Sequence, residues 1–178
     1  MFFDSHAHYD DEKFDIDRYD FLASLPEKGV DLVVDPAQDV ATTRLCAEMA
    51  ERVPFLYFAA GYHPHESGEM GEAEYDEIRR ALDHPKCVAV GEIGLDYHYD
   101  FHPRDVQQAV FRRMLALARE TGKPAIVHNR EATADCLAIM REFPDVHGVV
   151  HCYSGSWETA QELLDKAAGD LADEIAEG

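Results

Sequence analysis

The opening run MFFDSHAHYD places two histidines, His6 and His8, two residues apart directly after an apolar strand start. Alternate residues of a strand point to the same face, so two imidazoles at this spacing can serve one metal ion. Three further short apolar runs end on the same kind of side chain: CVAVGE on Glu92, PAIVH on His128 and GVVH on His151. A lone histidine or glutamate in such a place is more often structural. Four strand ends carrying ligand-type residues form a combined signal that chance does not readily produce. Imidazole nitrogens with carboxylate oxygens suit Zn²⁺, Mn²⁺ or Fe²⁺, whereas Mg²⁺ prefers oxygen ligands and water, so the identity of the metal stays open. Five donors exceed what one catalytic zinc takes from protein, and a two-ion centre is expected, with Glu92 able to bridge through its two oxygens.

Other residues read as secondary to that set. Asp4 shares the parity of His6 and His8 and either orients a ligand ring or is a buried structural carboxylate. His63 and His65 in GYHPH end the third strand, where a phosphate contact is expected for His63 and a turn-stabilising role competes for His65. Arg130, just after His128, is placed to hold a phosphate, with a surface ion pair as the bland alternative. Tyr97, Tyr99 and Phe101 beside His98 and His102 form an aromatic loop over the rim, suited to stacking a base or to capping a barrel. His84 and His147 precede strands and are expected on the opposite face, away from the chemistry. No P-loop, G-x-G-x-x-G or G-x-S-x-G motif supports a nucleoside triphosphate, dinucleotide or serine-hydrolase reading.

These residues need elements to hold them. Short β-branched or aromatic runs alternate with segments of helical period, the pattern of βα units around a parallel sheet. Strands are expected near Phe2 to Ser5, Val30 to Asp35, Phe55 to Ala60, Cys87 to Glu92, Pro124 to His128 and Gly148 to Cys152. Helices are expected near Asp17 to Lys28, Val40 to Arg52, Glu72 to Leu82, Pro103 to Thr121, Glu131 to Phe143 and Ser156 to Glu177. Pro103 suits a first helical turn, Gly29 and Gly122 suit helix stops, and Ser156 suits an N-cap. Ligand-type residues at the carboxyl ends of parallel strands lie on the functional rim of a (β/α) barrel. Six units fall short of the eight that such a barrel needs in about 250 residues. A doubly wound six-stranded sheet is the structural alternative.

The 178 residues favour a single domain, 46% apolar without disordered stretches. A formal net charge of −20 repels nucleic acid at long range, so a nucleic-acid substrate has to be gripped locally, by metal ions and a few basic or aromatic groups. Cys46, Cys87, Cys136 and Cys152 show no C-x-x-C spacing and read as reduced thiols of a cytoplasmic protein. No apolar run is long enough for a membrane span.

Taken together, DSHAHYDDEKFD, GYHPHE, GEIGLDYHYD, VHNREA and HCYSGSWETAQELL resemble the TatD family of metal-dependent deoxyribonucleases, within the amidohydrolase-like barrel superfamily. The matching stretches run in the family's order from Met1 to about Leu164. The resemblance implies a TIM-type barrel with a two-metal centre (Mg, Mn or Zn) and a DNA substrate, single-stranded or at strand ends. It also implies His6 and His8 on the first metal, Glu92 bridging, His128 and His151 on the second, and His63 at the substrate phosphate. Glu92, His63 and Arg130 are thus the candidates for catalytic roles. The family continues through two more strands with an aspartate in an E-T-D-like segment, which this sequence lacks, so residues 1–178 are expected to form one hydrolase domain without the last two βα units. Asp165, Asp170 and Asp173 are poor replacements, because helix residues so far from a rim rarely reach it. Amide or acyl-ester hydrolysis, and a non-catalytic metal- or phosphate-binding remnant, are the competing functions. Two open sheet edges, at Phe2 to Ser5 and Gly148 to Cys152, make a homodimer or aggregation the expected outcome, with the tail from Ser156 to Glu177 covering the open edge as the rival.

Overall fold

The computed structural model describes residues 2–164. Its elements run β1 (Phe2–Asp4), α1 (Arg18–Ser24), β2 (Val30–Pro36), α2 (Val40–Arg52), β3 (Leu56–Ala60), α3 (Glu72–Ala81), β4 (Cys87–Asp96), α4 (Arg104–Thr121), β5 (Ala125–Arg130), α5 (Thr133–Met140) and β6 (Gly148–Val150). All six strands are parallel and each pairs with the next in chain order. The sheet curls into half of a barrel with helical crossovers, so the incomplete TIM-type reading holds. The doubly wound alternative needs a strand-order reversal, which this sheet does not have.

The helix limits follow local chemistry. Asp39 caps α2: its Oδ1 accepts the Thr42 N–H at 2.7 Å while Thr42 Oγ1 accepts the Asp39 N–H at 2.9 Å. Pro103 precedes α4, and Gly122 at φ 65° ends it. Ser156 Oγ accepts the Thr159 N–H at 3.2 Å, and residues 157–164 are helical. The rest of the helix expected to Glu177, with Asp165, Asp170 and Asp173, lies outside the described residues. One helix was expected over Asp17 to Lys28, but α1 stops at Ser24 and Pro26 opens a separate 3-10 turn, Pro26–Lys28. Proline has no N–H to give the Leu22 carbonyl, which accepts from Leu25 at 3.1 Å instead.

The strands alternate between two apolar faces. Val33, Phe58, Val90 and Val127 point to the helices and join the main core with Met49, Ile78, Phe111 and Leu115. Their neighbours Val34, Ala59, Ala89 and Ile126 point the other way and form a small cluster inside the curl. Burial on both faces explains why the middle strands read as continuous apolar runs. Each fully buried Phe, Leu or Ile contributes roughly 1.5–3 kcal/mol. The outer strands differ, with Phe2 68%, Phe3 57% and Val149 55% exposed. Among the described residues β1 and β6 are each paired on one side only.

Glu92 was expected to end its strand, yet β4 continues to Asp96. The register slips between Val90 and Ile93, and the Glu92 N–H donates across to the Ala37 carbonyl at 2.9 Å. Pairing with β5 resumes from Ile93 to Asp96 because Ile93 and Leu95 are fully buried. Glu92 therefore sits at a mid-strand irregularity. β5 likewise runs two residues past His128, to Arg130.

Candidate metal centre

Glu92 occupies the middle of the site and is 3% exposed. Its Oε2 lies 3.4 Å from His6 Nε2 and 3.7 Å from His8 Nε2, while Oε1 lies 3.3 Å from His128 Nδ1. The Nε2 atoms of His6 and His8 are 3.2 Å apart. The His151 ring stacks on His6 with centroids 3.4 Å apart and an interplanar angle of 10°. One buried carboxylate thus gathers His6, His8, His128 and His151 from β1, β5 and β6, and His63 closes the far side with its ring 4.6 Å from that of His128. Close backbone approach makes this convergence possible. A Cβ on Gly61 would meet the Gly91 carbonyl carbon at 2.7 Å, and one on Gly91 would meet Ile126 Cβ at 2.7 Å, so only glycine lets His63 and Glu92 come so near.

The donor set fits divalent cations. Donors that each sit about 2.0–2.2 Å from a shared tetrahedral ion lie roughly 3.3–3.6 Å from one another. The separations around Glu92 run from 3.2 to 3.7 Å. Ligand atoms cluster in three groups, each within 4.8 Å: His6, Glu92 and His151, and His63, Glu92 and His128, which share Glu92, and separately His8, Asp10 and Asp35.

The charge states suit this use. Burial pushes the Glu92 carboxyl up, but hydrogen bonds to His128 and His6, with the surrounding imidazoles, outweigh it and hold it well below the usual carboxylate range. Burial presses His63 down to about 3, so its ring is neutral at pH 7. His63 Nδ1 accepts the His65 backbone N–H at 3.2 Å. The single ring proton of neutral His63 is therefore on Nε2, which makes it a hydrogen-bond donor and not a metal ligand in this tautomer. Burial likewise lowers His151, assisted by the neighbouring His6 charge. Burial opposes protonation of His128, but the Glu92 and Asp96 carboxylates on its two nitrogens raise it overall.

Three carboxylates that the sequence reading passed over complete the site. Asp96, 1% exposed, receives His65 Nε2 at 2.8 Å and His128 Nε2 at 3.1 Å on Oδ2, and its Oδ1 accepts the N–H groups of His98 and Tyr99 at 3.0 and 2.9 Å. Burial raises it, yet the Tyr99 N–H, His65 and His128 bring its carboxyl down to about 2. Asp10 Oδ1 stands 3.4 Å from His8 Nδ1, so it faces the ring nitrogen turned away from Glu92. Asp35 is fully buried, accepts the Tyr9 N–H at 2.8 Å, and is pushed up by burial and by the Asp10 charge. A signal existed: Asp96 shares parity with Glu92 on an extended β4, and Asp35 sits at the carboxyl end of β2. Asp4, expected to orient a ligand ring or to be structural, accepts the His6 backbone N–H at 3.3 Å.

Arg130 is not drawn into the pocket. It is exposed, with its guanidinium 4.8 Å from the Tyr99 ring centroid. His84 lies before β4, edge-on to Phe58 at 5.3 Å, away from Glu92.

A curled parallel sheet with nitrogen and oxygen donors crowding the carboxyl ends of its strands defines a barrel-type protein with a candidate divalent-metal centre. The family model for TatD related DNase matches residues 3–169, and the chain belongs to this family. It is 40% identical to the uncharacterized metal-dependent hydrolase YabD of Bacillus subtilis, over 92% of this chain and 65% of that protein. It is 29% identical to the 3'-5' ssDNA/RNA exonuclease TatD of Musicola paradisiaca, over 91% and 62%. The crystal structure of an Escherichia coli TatD homolog superposes with a TM-score of 0.86 at 30% identity, over 93% of this chain and 65% of that one. The chain therefore spans less than two thirds of the length of these relatives. Among the described residues no helix is long and apolar enough to cross a membrane.

Proposed function

We propose that this chain is a divalent-metal-dependent phosphodiesterase acting on DNA, with two ions held around Glu92. The observation that carries the reading is the division of that carboxylate: Oε2 faces His6 and His8, and Oε1 faces His128. With His151 against His6, these five residues would hold the ions, with Glu92 shared between them. The exonuclease activity for which the Musicola relative is named, together with the metal dependence in the name of the Bacillus relative, supports a nuclease. Cations held there would supply the polarisation of a phosphoryl group and the acidification of a water.

The chain's own residues do the rest. His63 offers its Nε2 proton to a phosphoryl oxygen, because its Nδ1 is committed to the backbone. Asp10 behind His8 and Asp96 behind His128 hold those rings in orientation, the role that outer carboxylates play at metal sites. Arg130 stands at the rim, its guanidinium over the Tyr99 ring, and supplies a cation to a phosphate along the strand.

The test compares cleavage of single-stranded oligodeoxynucleotides with that of small amides and acyl esters, in Mn²⁺ and in excess chelator. Cleavage of the oligonucleotide only, abolished by chelator and reduced at least ~100-fold in Glu92→Gln, is the expected result. Full activity in chelator, or unchanged cleavage by Glu92→Gln, overturns the mechanism. Amide cleavage alone moves the protein to another hydrolase class, and metal binding without turnover makes it a binding module.

A further inference from the structure

The metal centre does not account for the aromatic loop beside it. Tyr99 is 47% exposed and Phe101 63%, and their rings lie 5.5 Å apart at 29°. Large aromatic rings left in water next to a polar pocket are informative, whereas scattered ones are not. This pair is held in place. Asp96 Oδ1 accepts the N–H groups of His98 and Tyr99, Arg104 pairs with Asp100 at 3.1 Å, and Gln107 Nε2 donates to the His102 carbonyl at 2.9 Å. The loop is thus organised by the same Asp96 that receives His128.

The rings are also continuous with the centre. His65 meets Tyr99 and Phe101 edge-on at 5.3 and 4.8 Å, and its ring is 6.1 Å from His128. The Arg130 guanidinium lies 4.8 Å from the Tyr99 ring centroid, giving the platform positive charge on a chain whose net charge of −20 repels polyanions. A capping role would bury these rings, whereas Tyr99, with Arg130 and Phe101 against it, keeps 47% exposure and Phe101 keeps 63%.

We infer that Tyr99 and Phe101 are a stacking platform for one unpaired nucleobase, placed so that the phosphate attached to that nucleotide enters the Glu92 pocket. The inference rests on the phosphodiesterase reading and assigns to two named residues the hold on an unpaired nucleotide. Inside a duplex each base face is already covered by its neighbours, and only an unpaired nucleotide offers its face to a ring. Recognition is tolerant of sequence, because every base has such a face.

The experiment is fluorescence anisotropy with the full chain, Mn²⁺ and a short labelled single-stranded oligodeoxynucleotide in which one abasic site is walked along the strand. At one position the abasic site weakens binding about tenfold, and a blunt duplex of the same sequence binds more weakly than the single strand. In the double variant Tyr99→Ala, Phe101→Ala the intact strand binds about tenfold more weakly and the abasic effect disappears, while Phe101→Trp retains it. No binding by the native chain, no position-dependent abasic effect, or the same abasic effect in the double variant overturns the inference. Hydrolysis of bis(4-nitrophenyl) phosphate by the native chain reports on the Glu92 centre alone. If it is absent while the abasic effect persists, the phosphodiesterase reading fails and the platform stands; if it is present while binding ignores the base, the platform fails alone.

Discussion

Two halves of the centre face each other across Glu92. Glu92, His128, His63 and Asp96 come from β3 to β5 and the turns after them, where Phe58, Val90, Ile93 and Leu95 are fully buried. His6, His8 and His151 follow β1 and β6, whose side chains Phe2, Phe3 and Val149 are more than half exposed. The first half is placed by packing. The second is placed mainly by ring contacts and backbone bonds, such as the Ala7 N–H to the Val34 carbonyl at 3.0 Å and the His151 N–H to the Val127 carbonyl at 2.9 Å. A donor set shared between a packed core and thinly covered edges couples metal binding to the ordering of those edges.

The largest test of this contrast is in packing. Phe58→Ala removes a fully buried ring and is expected to cost ~3–5 kcal/mol, whereas Phe3→Ala at the edge is expected to cost under about 1 kcal/mol. Urea denaturation of both variants measures the difference, and equal losses would remove the distinction between the halves.

Next comes the effect of cation. Saturation at 100 times the dissociation constant stabilises the folded chain by about 2.7 kcal/mol. Hydrogen exchange should show the gain concentrated in amides near His6, His8 and His151, with the middle strands already protected in chelator. Uniform protection of all six strands would mean that the edges are no less ordered than the centre.

The effect that is smallest at each measured step, one pH unit, is in acid. His63 titrates at about 3 in the fold against an ordinary 6.5, so the unfolded chain binds the extra proton between those values. Stability is complete above pH 6.5 and falls as the pH drops towards 3, with this residue contributing up to about 1.4 kcal/mol per pH unit. His63→Phe should flatten that stretch of the stability profile measured in chelator. An unchanged slope would show that His63 is not held neutral by burial.

Much of this architecture is legible in the sequence. Apolar runs separated by helical periods determined six βα units, and residues such as Pro103, Gly122 and Ser156 marked where helices begin and end, because both signals act within a few residues of chain. The ligand-type residues at strand ends were visible for the same reason: parity along a strand is a local property. Tertiary structure decided what depends on a partner far along the chain. The register slip in β4 turns Glu92 into the pocket and carries the strand on to Asp96, which no pattern around residue 92 demands. Asp10 and Asp35 gain their place by burial beside His8, and Arg130 leaves the pocket for the Tyr99 ring. Those choices rest on burial and charge summed over strands that meet only in the folded sheet, and a linear sequence carries that sum only implicitly.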